Sequence, residues 1–207
     1  MNKKEFNRHI DINEINRHAF NEAQHYLNIK SFGCELICPY YINKPISYIT
    51  DLMRSVGVNE ADVTNFYSAF KKNLAPYGWY QGKASPEEIE ETIKLFLPNA
   101  GFGRPRVTPE GIRDLMRLRG LGVDCSGFVF NVLKKSFEKE GLLSELYNSI
   151  SWKDPNKMNV FQAGVSVLAD SSFSIDQRTI RPLDLLILEK RGHIAIVLQD
   201  SDVLLKA

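Results

Sequence analysis

The sequence contains no apolar run approaching the ~18 to 20 residues that span a bilayer, which argues against a transmembrane segment. It has no excess of charge either, since 26 Lys and Arg face 25 Asp and Glu for a formal net charge of +1. Without a basic face or a long run of one sign, nucleic acid is not an expected partner. There are only three cysteines in 207 residues, an odd number that suits free thiols in a reducing compartment. Met1 to His9 carry positive charge, but Ile10-Asp11-Ile12-Asn13-Glu14 follow where a secretory signal has its apolar stretch. The expected location is therefore cytoplasmic, or outside the cell by a non-classical route. No internal repeat and no low-complexity tract interrupts the chain, and 43% hydrophobic with 25% charged residues is the composition of a folded protein.

What is there reads as helices first and strands afterwards. Ile12, Ile15, Ala19, Ala23 and Leu27 recur at steps of three or four behind Asp11, an N-cap type, and predict an amphipathic helix. Residues 32–42 predict a strand or extended loop, and residues 46–56 and 60–73 predict two more helices. Ser85-Pro86-Glu87-Glu88 supplies an N-cap, a first-turn proline and a capping-box glutamate for a helix to about Leu97. Thr108-Pro109 opens another helix, ended by Gly120 and Gly122. A buried helix over Phe128, Val129, Val132, Leu133 and Phe137 and a short one over residues 142–150 follow. From about Val160 the texture changes to short apolar segments at 183–188, 193–198 and 203–205, predicted strands joined by turns. This order gives an α+β expectation with an antiparallel sheet. The expected division is a helical N-terminal extension, residues 1–75, and a catalytic domain, residues 76–207.

Two segments carry the chemistry. In Gly122-Val123-Asp124-Cys125-Ser126-Gly127-Phe128-Val129 a cysteine directly follows an N-cap candidate at the first turn of an apolar helix. The unpaired N–H groups and positive end of a helix favour a thiolate there. Asp124, Ser126 and Gly127 are candidate substrate or oxyanion supports, Gly127 by leaving room for substrate at the sulfur. Downstream, Arg191-Gly192-His193-Ile194-Ala195-Ile196-Val197 holds the only one of four histidines that lies in an apolar strand. A thiol paired with an imidazole base is what cysteine hydrolases need. The plainer reading, a small core cysteine and a satisfied structural histidine, is left open by spacing alone.

Asp124-Cys125-Ser126-Gly127-Phe128-Val129 followed by Gly192-His193-Ile194-Ala195-Ile196 resembles the NlpC/P60 family of papain-like cysteine peptidases, whose pattern is DCSGxV and then GHVxI. Arg181-Pro182-Leu183-Asp184-Leu185 is similar to the family's PGDL strand entry, with Leu183 in place of glycine. Tyr77-Gly78-Trp79-Tyr80-Gln81-Gly82 is similar to its YxWGG segment, with a longer stretch before the nucleophile, which makes Tyr77 a further candidate. The resemblance runs from about Tyr77 to the end. It implies a papain-like fold in which the helix carrying the nucleophile packs on an antiparallel sheet. It also implies Cys125 as nucleophile, His193 as base, and hydrolysis of the γ-D-glutamyl to diamino-acid bond of peptidoglycan stem peptides through a thioester.

In the family a His, Asn or Gln after the base strand orients the imidazole. Lys206 aligns there, yet an ammonium accepts no hydrogen bond. Asp200 and Asp202 can accept one but read as turn residues, and the chain is expected to stop before the sheet is complete, as a shortened form of a longer protein or a rearranged fold. The missing orienter keeps two alternatives in view: a weak or inactive member that binds muropeptides or a protein, and an acyltransferase using the same pair. No cofactor or metal is expected, because Cys34 and Cys38, with His25 upstream, lack a second ligand pair. His18, Glu22 and His25 read as a solvated helix face, as do Arg113, Arg117 and Arg119.

Overall fold

The structure, a computed structural model, describes residues 11–41, 46–55, 57–71, 82–96, 108–118, 121–188 and 192–199. Helices α1 (Ile12–Leu27), α2 (Ile46–Ser55), α3 (Glu60–Lys71), α4 (Pro86–Phe96), α5 (Pro109–Leu118), α6 (Cys125–Lys139), α7 (Leu143–Ser149) and α8 (Val165–Asp170) accompany two antiparallel strand pairs. The pairs are β1 (Ile29–Ser31) with β2 (Cys34–Leu36), and β3 (Leu185–Leu188) with β4 (His193–Ile196). This is an α+β architecture. No helix among the described residues is long and apolar enough to cross a membrane.

Local chemistry accounts for most of the boundaries. Asp11 caps α1 by accepting the Asn13 and Glu14 amides at 2.9 and 3.4 Å. The capping box of α4 forms as expected, with the Ser85 amide donating to Glu88 Oε2 at 2.8 Å and the Glu88 amide donating to Ser85 Oγ at 3.2 Å. The stripe of α1 differs at its ends: Ile12 and Leu27 are 53% and 49% exposed, while Tyr26 is buried. Its hydroxyl donates to the Ala84 carbonyl at 2.8 Å and accepts from Asn131 Nδ2 at 3.0 Å.

Three features add to the expectation from sequence. Residues 32–42 are not one extended segment, because Phe32 and Gly33 take φ of 49° and 76° and turn the chain between β1 and β2. Two consecutive positive φ values suit the twist of a two-residue hairpin, and glycine supplies the second without strain. Beyond Val160 the chain forms α8 before the strands begin; six residues are too few to declare a helical period. The boundary near residue 75 does not divide the core. Ala19, Ala23, Tyr26, Ile29 and Leu36 pack in one cluster with Ala84, Ile89, Ile93, Ile112, Met116, Val123 and Val132. Periodicity shows that a helix has an apolar face and says nothing of which element covers it.

A second cluster joins Val129, Phe130 and Leu133 to Leu146, Ile150, Val167, Leu168 and Ile194. Helix α6 thus feeds both cores and is apolar around most of its circumference, as a central helix must be. Strand β4 lies against it, with Leu188 opposite His193 and Leu185 opposite Ile196. Asn16 of α1 ties down the chain after β4, its Nδ2 donating to the Gln199 carbonyl at 2.9 Å and its Oδ1 accepting the Gln199 amide at 3.3 Å. The expected strand at 203–205 lies outside the described residues.

Candidate active site

Three extended segments meet where α6 begins. The Val123 amide donates to the Pro39 carbonyl at 3.2 Å, the Tyr41 amide to the Val123 carbonyl at 3.0 Å, and the Asp124 amide to the Gly82 carbonyl at 2.8 Å. Two glycines permit this approach. A Cβ on Gly122 would stand 2.4 Å from the Pro39 carbonyl oxygen, and one on Gly127 would stand 2.2 Å from that of Gly82. Gly127 therefore makes room for the backbone at residues 82–83 rather than for a substrate, which corrects the role expected of it.

Asp124 is the N-cap of α6, and its Oδ1 accepts the Gly127 amide at 2.6 Å, Lys83 Nζ at 2.9 Å and Ser126 Oγ at 3.2 Å. Lys83 Nζ also donates to Ser126 Oγ. Lys83 and Ser126 are 7% and 4% exposed, so this is a buried polar knot beneath the nucleophile helix. A buried ammonium requires a charge partner and acceptors, and Asp124 and Ser126 supply both. The support expected of Asp124, Ser126 and Gly127 is accordingly narrowed to the Ser126 backbone amide. The two side chains are engaged with Lys83, and the Gly127 amide is taken by the cap. The amides of Cys125 and Ser126, the first of the helix, are the ones that intrahelical bonding leaves open to an oxyanion.

Cys125 is half-buried, with Sγ 4.0 Å from the carbonyl oxygen of Gly192. Gly192 turns with φ of 63° and delivers His193, exposed at the first position of β4. The structure thus brings Cys125 and the start of the His193 strand together across the fold. Tyr40 completes the group. Its ring centroid lies 6.5 Å from that of His193. Partial burial, then the neighbouring Cys125 and Asp124, push the Tyr40 phenol above its ordinary value. A phenol that stays protonated keeps its capacity to donate a hydrogen bond beside His193.

Neither Tyr40 nor Lys83 has a local sequence signal, because each reaches the site through a backbone bridge to Val123. Tyr77, Lys206, Asp200 and Asp202 lie outside the described residues.

The other candidates are dispersed. Cys38 donates to the Pro39 carbonyl, and burial pushes its thiol up to about 12. His25 Nε2 lies 3.1 Å from Glu90 Oε1 and His18 Nε2 lies 3.1 Å from Glu140 Oε1, so the histidine face expected to be solvated packs on α4 and the end of α6. On α5, Arg117 pairs with Asp114 at 3.2 Å, and Arg113 Nε is buried with no acceptor among the described residues. Compared with known protein families, curated proteins and solved structures, the chain matches none.

Proposed function

We propose that the protein is a papain-like cysteine hydrolase in which Cys125 is the nucleophile and His193 the base. Its proposed substrate is the γ-D-glutamyl to diamino-acid bond of peptidoglycan stem peptides. The observation that carries this reading is the 4.0 Å approach of Cys125 Sγ, at the first turn of α6, to the Gly192 carbonyl beside His193. It is supported by Leu183, whose φ of 76° is the left-handed conformation natural to glycine, at the position where the resembled strand entry has glycine.

His193 takes the thiol proton, and Cys125 Sγ adds to the γ-glutamyl carbonyl. The oxyanion forms against the first amides of α6. Collapse breaks the C–N bond, the amine leaves with the proton from His193, and a thioester remains. Water, deprotonated by His193, adds to the thioester carbonyl, and collapse releases the carboxylate product and the thiol.

The test is turnover of a synthetic γ-D-glutamyl-diamino-acid peptide by the full chain, followed by mass spectrometry. Release of the free amine by the wild type and its loss in Cys125→Ala are expected. Equal release by both proteins, or none by either, would contradict the proposal.

A further inference from the structure

Away from the Cys125 region, α1 and α4 face each other with a second set of chemically capable side chains. Glu22 and His25, three apart on α1, project on one face of that helix, and Glu87 and Glu90, three apart on α4, do the same. One carboxylate oxygen of Glu22, one ring nitrogen of His25 and one carboxylate oxygen of Glu87 lie within 4.8 Å of one another.

Glu22 is the unusual member. It is 7% exposed, and no donor among the described residues hydrogen-bonds its carboxylate. Burial, and then the neighbouring Glu87 charge, push its carboxyl above the ordinary value. A carboxylate largely shielded from water without a donor is costly, and a second carboxylate beside it adds to the cost. Lys135 of α6 approaches Glu87 at 3.7 Å, too far for a hydrogen bond.

His25 is oriented for a ligand in the same place. Glu90 Oε1 accepts the Lys30 amide at 2.7 Å and lies 3.1 Å from His25 Nε2. A carboxylate only accepts, so Nε2 carries the proton in this pair. The other nitrogen, Nδ1, faces Glu87 Oε1 at 4.0 Å. A carboxylate that fixes the far nitrogen of an imidazole is the usual outer support of a metal-binding histidine.

We propose that Glu22, His25 and Glu87 bind a first-row divalent cation, with Glu90 as the positioning residue for the imidazole. Two carboxylates and one neutral imidazole balance a charge of two, and a mixed oxygen and nitrogen set favours Mn²⁺, Fe²⁺ or Zn²⁺ over Mg²⁺ or Ca²⁺. Three protein ligands leave the remaining coordination positions to water. The cation would clip α1 to α4. By contrast, Glu14, His18 and Glu140 are also close together, but none of the three is buried, and that cluster carries no such inference.

The test is isothermal titration of the full chain with Mn²⁺, a cation with little affinity for thiolates, beside Mg²⁺. One equivalent of Mn²⁺ bound more tightly than Mg²⁺ is expected. Glu22→Gln and His25→Gln each weaken binding about tenfold or more, while Glu140→Gln leaves it unchanged. Glu22→Gln removes a buried charge and no hydrogen bond, so it retains the fold, which circular dichroism checks. Mn²⁺ bound no better than Mg²⁺, or bound equally by wild type and Glu22→Gln, would overturn the site.

Discussion

Lys83 Nζ lies 2.9 Å from Asp124 Oδ1, and that same oxygen holds the Gly127 amide at 2.6 Å. The charge pair and the helix cap are therefore one device, anchored from a position far away in the sequence. Replacing Lys83 by Met leaves a shielded carboxylate and the buried Ser126 hydroxyl short of a donor. A loss of about 1–3 kcal/mol in urea unfolding is expected, with a proportionally larger fall in any Cys125-dependent turnover. Unchanged stability and unchanged turnover would remove Lys83 from the account.

Gly127 lies inside α6, where alanine is ordinarily the better helix former by about 1 kcal/mol. Here the added Cβ meets the Gly82 carbonyl oxygen at 2.2 Å, a backbone atom that has the Asp124 amide bound to it. Gly127→Ala is expected to destabilise by about 1–3 kcal/mol in denaturant melts. Gly111→Ala, at an exposed position of α5, should be neutral or stabilising in the same assay.

Cys38 offers a pH prediction with a definite sign. Its thiol is pushed up to about 12 by burial from an unfolded value near 9, so in that interval the unfolded chain releases a proton that the folded chain keeps. Stability contributed by the neutral thiol is therefore complete below about pH 9 and declines as pH rises toward 12. Cys38→Ser should flatten that decline in melting curves recorded across the window.

Asn16 closes the fold between its first helix and the chain after β4 through two hydrogen bonds to Gln199. Asn16→Leu preserves volume and leaves the Gln199 amide and carbonyl without those partners. A loss of about 1–3 kcal/mol is expected, with faster proteolysis after Ile196 in limited digestion.

Much of this architecture is legible in the sequence where the determinants are local. Asp11, Ser85 with Glu88, and the apolar steps of α1, α4 and α6 mark their own helices because caps and periods act within a few residues. Cys125 and His193 are legible because each sits in a recognisable short motif. What is not legible depends on long-range approach. The Phe32-Gly33 turn lies between strands of three residues, too short to show alternation. Tyr40 and Lys83 reach the start of α6 only because Val123 bridges both of their segments. The glycine at 127 reads as room for a substrate, whereas the group that approaches it is the protein's own backbone. His18 and His25 sit beside an apolar stripe and yet meet Glu140 and Glu90, partners from other helices that no pattern within α1 reveals.

The central claim is that the fold makes Cys125 a reactive thiol through His193. The direct measurement is site-resolved alkylation by iodoacetamide at neutral pH, read by mass spectrometry at Cys125 and Cys34 in wild type and in His193→Ala. The account predicts that Cys125 is modified about tenfold faster or more than Cys34, and that this advantage falls sharply in His193→Ala. Equal rates at the two cysteines, unaffected by the His193 substitution, would contradict it.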